Sequence, residues 1–307
     1  MRPEKIKDKA GKAKVRNGSK DAKTGINVKE HADILPFVNR IICSDAVKVL
    51  NQIPAQSVDL IITSPPYNFG HAYAQDHTND THEWNEYFEK LLVIWKECER
   101  VLKPGGRIAV NVQPLFSDYI PTHHLISHQL MNLGFLWKAE FLWEKNNYNA
   151  KYTAWGSWKS PSMPYIKYTW EFIEVFDKGT HKKTGLREDI DITAEEFKEW
   201  VIGKWSFPPE IRMKDFDHPA MFPEELPRRL MKLFSYRNDI ILDPFSGAGT
   251  TALVARKLQR RFIGIDVSSQ YCDTAMKRLA AAAKCEKGSG YYPDPELLLP
   301  EDLTESN

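Results

Sequence analysis

The run Asp239-Ile240-Ile241-Leu242-Asp243-Pro244-Phe245-Ser246-Gly247-Ala248-Gly249-Thr250 passes from a buried-strand pattern through a glycine turn into a helix start, and it decides the fold. Residues 240–242 read as a strand interior, and the spacing predicts a helix over 250–258 immediately after the glycines. Strand, glycine turn and helix start in that order let a ligand approach backbone N–H groups and the positive end of a helix dipole. A tight structural turn would look the same. What separates the two is the next strand, Arg261-Phe262-Ile263-Gly264-Ile265-Asp266, which ends in an acid nineteen residues beyond Gly247. A carboxylate at the tip of the second strand is where ribose hydroxyls are held. The turn lacks the third glycine of a dinucleotide fingerprint and the lysine of a triphosphate loop, so an adenosine-type cofactor without a pyrophosphate is expected.

Upstream, the pattern alternates strand and helix. A strand is predicted at 39–45, ending in Asp45, then a helix to Leu50 and a strand over Val58–Ile62. Trp84, Tyr87, Phe88, Leu91, Leu92, Trp95, Cys98 and Leu102 recur at three and four residues, the mark of a long helix with one buried face. Lys103-Pro104-Gly105-Gly106 is expected to stop it, with a strand over 107–112. A helix over 121–133 and strands over 137–143 and 170–176 follow. The charged stretch 179–217 reads as an insert with a helix near 193–202. This order predicts an α/β fold with a mostly parallel sheet covered on both faces.

The strand over 58–62 runs into Thr63-Ser64-Pro65-Pro66-Tyr67-Asn68. Two prolines fix φ and donate no N–H, which suits their neighbourhood to accepting hydrogen bonds from an exocyclic amine, while Tyr67 offers a ring on which a flat base stacks. A Ser-Pro-Pro corner with a packed tyrosine is the plain alternative.

Composition bounds the rest. At 307 residues the chain can bury a sizeable core. Cys43, Cys98, Cys272 and Cys285 show neither CxxC nor Cys/His spacing, which indicates no zinc site and no disulfide framework. No apolar run approaches the ~20 residues of a membrane span, and no secretion signal is evident, so a soluble cytoplasmic protein is expected, without a membrane partner. Residues 1–30 hold ten Lys/Arg and four Asp/Glu, a net of +6, against +1 for the whole chain. That arm has too few large apolar residues to offset its ordering entropy. It reads either as a mobile arm that gathers polyanion or as a solvated tail. Residues 144–169 interleave aromatic rings with Lys and Asn, as a surface loop or as a segment that meets bases and phosphates.

Together these residues resemble the amino-group DNA methyltransferases. Asp243-Pro244-Phe245-Ser246-Gly247-Ala248-Gly249-Thr250 is similar to their S-adenosylmethionine loop, and Thr63-Ser64-Pro65-Pro66-Tyr67 to their catalytic turn. His218-Pro219-Ala220-Met221-Phe222-Pro223 resembles the segment that closes over methionine. Trp155-Gly156-Ser157-Trp158 with Trp170-Glu171-Phe172-Ile173 resembles the strand region beside the target-base pocket. The catalytic turn precedes the cofactor loop, the circularly permuted order of the β group.

The resemblance spans about residues 39–282. It implies a Rossmann-like methyltransferase fold, with a seven-stranded, mostly parallel sheet containing one antiparallel strand. The expected organisation is a basic arm over 1–38, a catalytic domain over 39–285 with DNA-recognition inserts near 144–169 and 179–217, and a tail over 286–307. The resemblance makes Ser64, Pro65, Pro66 and Tyr67 catalytic. It gives Asp243, Pro244, Phe245, Ser246, Gly247, Gly249, Thr250, Asp266 and Phe222 to the cofactor. Asp45 contacts the cofactor adenine or simply caps a helix.

Ser before the prolines goes mostly with cytosine N4 in that family, and Asp or Asn with adenine N6. The expected substrate is therefore a flipped-out cytosine in double-stranded DNA, with N6-adenine as the alternative. The loop over 71–81 is a candidate to close over that base. Protein or RNA amide methylation is a further enzyme class, disfavoured by the absence of Asn before the prolines and by the permuted order. A non-catalytic nucleotide-binding module is the reading outside enzymes. The family context implies a prokaryotic or phage-type, nucleoid-associated monomer or homodimer, and makes a cognate restriction endonuclease a candidate partner.

Overall fold

A computed structural model describes residues 33–66, 83–113, 119–146, 156–164, 166, 168–210 and 221–288. Among the described residues, eight strands form one open sheet. They are β1 (Arg40–Cys43), β2 (Val58–Thr63), β3 (Leu102–Val112), β4 (Phe135–Glu144), β5 (Trp170–Lys178), β6 (Lys204–Ser206), β7 (Ile240–Asp243) and β8 (Arg261–Asp266). Their order across the sheet is β1-β8-β7-β2-β3-β5-β4-β6. Only β5 runs against its neighbours; every other pairing is parallel.

Helices cover both faces, as central parallel strands buried on two sides require. One face carries α1 (Ala46–Leu50), α2 (Trp84–Val101) and α3 (Thr122–Asn132) over Ile61, Ile108, Val110, Leu242 and Ile263. The other carries α4 (Ala194–Trp200), α5 (Glu225–Phe234), α6 (Thr250–Lys257) and α7 (Ser269–Gly288) over Leu60, Ile62, Ile173, Val175 and Phe262. The three-and-four spacing of α2 does what it predicts: Tyr87, Leu91, Ile94, Trp95, Cys98 and Val101 are buried.

Three features depart from the sequence expectation. The sheet has eight strands, not seven. The extra one, β6, lies inside the span read as an insert and pairs with the edge strand β4, anchored by Trp205, whose indole N–H donates to the Trp200 carbonyl at 3.0 Å. Lys103-Pro104-Gly105-Gly106 is not a loop between helix and strand. Leu102 already pairs with Val58, and a register shift before Leu60 absorbs these residues as an irregularity within β3. Gly105 sits at φ +78°, where a Cβ would come within 2.6 Å of the Lys182 carbonyl oxygen. Finally, the packed structure begins upstream of residue 39, since Ile34 is buried in the first core, and α7 continues past residue 285.

The amino edge of the sheet is held by charge. Lys183, from the insert, bonds Asp59 at the start of β2 (2.9 Å) and Asp239 just before β7 (3.2 Å), and Lys103 also reaches Asp59 (2.8 Å). Burial alone would raise the Asp59 carboxyl, but Lys183 and Lys103 hold it below its ordinary value. Asp239, half-buried beside Asp59, is pushed up to about 6, desolvation being the largest cause.

Candidate active site

The two singled-out turns meet at the carboxyl edge of adjacent strands. Leu60 of β2 stands beside Ile241 of β7, so the chain leaves both strands side by side into Ser64-Pro65-Pro66 and Pro244-Phe245-Ser246-Gly247. This is the crevice position that open α/β sheets use for ligands.

Asp243 joins the two turns. Fully buried at the tip of β7, its carboxylate accepts from the Thr63 hydroxyl (2.7 Å), the Thr251 hydroxyl (2.7 Å) and the Phe245 N–H (3.1 Å). One side chain therefore fixes the residue before Ser64, the loop, and the first turn of α6. Burial pushes this carboxyl up to about 6, against the pull of the two hydroxyls. A second tie comes from α2, where the Tyr87 hydroxyl donates to the Pro66 carbonyl at 2.7 Å. That carbonyl is thus committed to the protein. Ser64 and Pro66 are half-buried and Pro65 is buried.

The cofactor loop is equally braced. Gly249 caps α6 at φ +74°, and a Cβ there would fall 2.6 Å from that of Ala275, so this glycine lets α7 pack against the loop. Arg278 of α7 bonds the Ala248 carbonyl and the Thr250 hydroxyl. Asp266 accepts from the Gly247 N–H (2.7 Å) and the Ser268 N–H (2.9 Å), one per carboxylate oxygen. Its half-buried carboxyl is raised, burial being the largest cause.

A carboxylate offers about four acceptor positions, so Asp266 retains capacity for hydroxyl donors. The buried Ser246 hydroxyl finds no partner among the described residues. A preformed loop, an acid at the next strand tip and an unsatisfied buried hydroxyl fit an adenosine-type cofactor.

The remaining expected residues fall as follows. Asp45 lies at the carboxyl edge beside β8, where Ser44 N–H bonds the Asp266 carbonyl (2.9 Å), but its own carboxylate caps α1 through the Lys48 N–H (3.0 Å). Phe245 is half-buried and edge-on to Trp95, with centroids 6.3 Å apart. Pro244 is buried. Phe222 packs on the second core. Tyr67, the 71–81 loop, Trp155, residues 218–220, the arm through residue 32 and the tail from 289 lie outside the described residues.

Of the two expected recognition inserts, 156–164 forms a turn closed by a Gly156–Pro164 bridge and presents an exposed Trp158 with Lys159 over its ring at 5.5 Å. The other begins at the opposite edge from Ser64, where Lys183 bonds Asp59 and Asp239, and returns to the carboxyl side only at β6. Thr251 and Arg278 carry no sequence signal, and the ties made by Thr63 and Tyr87 are visible only in the structure. Tyr87 looked like one more core residue of a periodic helix, and nothing local in the chain marks its partner.

Residues 58–277 match the N6/N4 methylase family model, described as a DNA methylase. The chain is 31% identical over 241 residues to the Type II methyltransferase M.HpaI of Haemophilus parainfluenzae, covering 78% of this chain and 74% of that protein. It is 30% identical over 269 residues to the Type II methyltransferase M.MjaI of Methanocaldococcus jannaschii, covering 75% and 87%. The structure of TTHA0409 from Thermus thermophilus, complexed with S-adenosyl-L-methionine, superposes with a TM-score of 0.62 at 29% identity, covering 79% of this chain and 93% of that one.

Proposed function

Because the chain belongs to the N6/N4 DNA methylase family, which uses S-adenosylmethionine, we propose that it is a Type II DNA methyltransferase acting on the exocyclic N4 of a cytosine flipped out of the duplex. The observation that carries this reading is the Thr63–Asp243 hydrogen bond, which fixes an amine-accepting turn directly against the cofactor loop.

When bound, S-adenosylmethionine supplies an electrophilic methyl group on a sulfonium. Asp266 holds the ribose, and the loop from Pro244 to Thr250 lines the methionine side, with Phe222 closing over it. An exocyclic amine on an aromatic base is a weak nucleophile, because its lone pair is conjugated with the ring. Ser64 Oγ and the Pro65 carbonyl accept its two N–H bonds and favour the pyramidal nitrogen of the transition state, while Tyr67 stacks on the ring. No strong base is needed, since the methylated nitrogen is cationic and gives up its proton readily. Thr63, Asp243 and Tyr87 keep the acceptors in place. Serine at position 64, where the family mostly has Asp or Asn for adenine, supports cytosine.

The test is to incubate the protein with methylation-free DNA and labelled S-adenosylmethionine, digest to nucleosides, and identify the product by mass spectrometry. N4-methylcytosine is expected. N6-methyladenine overturns the base assignment, and unlabelled DNA overturns the activity. Ser64→Ala and Tyr67→Ala are expected to abolish transfer with cofactor affinity retained, whereas Asp266→Ala weakens that affinity.

A further inference from the structure

Four side chains line up across the carboxyl edge of the sheet beside the catalytic turn. Thr63 pairs with Val110, which sets Ser64 level with Asn111; Asn111 pairs with Ile173 of β5, and Glu171 pairs with Trp143 of β4. Ile62, Ala109, Ile173 and Trp143 all face the second core. Strand alternation therefore carries Ser64, Asn111, Glu171 and Lys145 to that same face, as a row running from β2 to β4.

Three of the four are bonded to one another. Asn111 Nδ2 donates to Glu171 Oε2 at 2.5 Å, and Lys145 Nζ pairs with Glu171 Oε1 while lying 5.5 Å above the Trp143 ring. Glu171 and Asn111 are 4% and 2% exposed, whereas the Lys145 side chain keeps 20% of its surface open at this edge. A carboxylate this deeply buried is costly unless its partners compensate it. The arrangement holds a charge-compensated, immobilised ammonium on the face that strand alternation assigns to Ser64.

We propose that this row reads the target base: Lys145 donates to the ring nitrogen beside the reacting amine, and Glu171 and Asn111 position it. The inference rests on the proposed function, in which Ser64 receives that amine. N3 of cytosine and N1 of adenine are the same kind of acceptor, so the assignment holds for either base. Ser64 and Pro65 accept from the amine while Lys145 donates to its neighbour, and together they match the donor–acceptor order of the base edge. A bare cation on the ring nitrogen would draw density away from the amine that must attack. Pairing with Glu171 tempers that pull, which gives the buried carboxylate a reason to be there.

The site is first mapped by sequencing plasmid DNA methylated by the full-length protein. Single-turnover rates are then measured on duplexes carrying that site, and S-adenosylmethionine affinity by calorimetry. Lys145→Met is expected to slow methyl transfer roughly 30-fold, the scale of one charged hydrogen bond, with cofactor affinity within about threefold. Lys145→Arg should recover most of the rate, and Glu171→Gln should lower kcat at unchanged KM for DNA.

Replacing the target by 3-deazacytosine, or by 1-deazaadenine if the product is N6-methyladenine, should slow the wild type as much as Lys145→Met does and slow the variant little further. Full activity of Lys145→Met, losses that multiply independently, or a loss confined to DNA affinity would each overturn the contact. Absence of methyl transfer by the wild type is the separate failure of the functional reading.

Discussion

At position 243 one carboxylate does the work of a hinge pin, holding a strand end, a loop and a helix start through three hydrogen bonds. Its bond to Thr63 is the shortest route between the proposed acceptor turn and the cofactor loop. Thr63→Val keeps the shape and removes the donor. It is expected to cost about 1–2 kcal/mol of stability, read as a lowered Tm, and to slow methyl transfer about tenfold with a smaller change in cofactor affinity. A variant equal to wild type in rate would show that the bond is structural only. Tyr87→Phe tests the other tie in isolation. The ring still packs against Trp84 and Phe88, so thermal stability should move little while kcat falls several-fold through a loosened Pro66. An unchanged kcat would remove Tyr87 from the positioning set.

The β4–β5 pairing sets the titration of one of its carboxyls, Glu174. Glu140 and Glu174 stand opposite each other in register, and burial together with Glu140 pushes the Glu174 carboxyl up to about 8. A raised pKa means that the folded state binds the proton more tightly than the unfolded chain. The associated stability is fully present below about pH 4.5, the ordinary value, and is lost as pH rises through about 8. Glu174→Gln mimics the protonated form, so its Tm should exceed that of wild type at pH 8.5 and match it at pH 4.5; parallel Tm curves across that range would refute the assignment.

The same elements show what the chain spells out locally. The glycine turn, the acid ending β8 and the Ser-Pro-Pro corner are legible because each sits at a strand end, where short-range pattern and geometry coincide. The helix spacing of α2 is legible because 3.6-residue periodicity is a local property. β6 is not, since three residues show no period and its pairing with β4 depends on Trp205 finding its pocket. The irregularity in β3 is hidden for a related reason: glycines that end helices also permit strand distortions, and only the long-range Val58–Leu102 pairing decides between them. Of the Asn111–Glu171–Lys145 row only Glu171 falls in a stretch with a family resemblance; its pairing with Asn111 and Lys145 joins three strands and is not local.

At the scale of the whole molecule, charge is unevenly divided. A net of +6 on residues 1–30 within a chain of +1 leaves the remainder acidic, although the proposed substrate is a polyanion. Phosphate contacts therefore depend on local clusters of cations, and the arm is the densest such cluster in the chain. Phosphate neutralisation releases counterions, so each contact adds about 0.9 to the slope of log affinity against log salt. If four of the ten basic residues in the arm engage phosphates, deleting residues 1–30 should flatten that slope by about 3–4 and weaken binding most at low salt. The deletion ends before Ile34, which packs in the core, so folding and cofactor affinity should persist. The single-turnover rate at saturating DNA should also persist, because none of the groups proposed to touch the base or the cofactor lies in the arm. Fluorescence anisotropy on one duplex across a salt series, run beside single-turnover assays, separates the two effects. Equal slopes for the two proteins would make the arm a solvated tail and leave the rest of the chain to gather DNA with Lys159 and its other exposed cations alone.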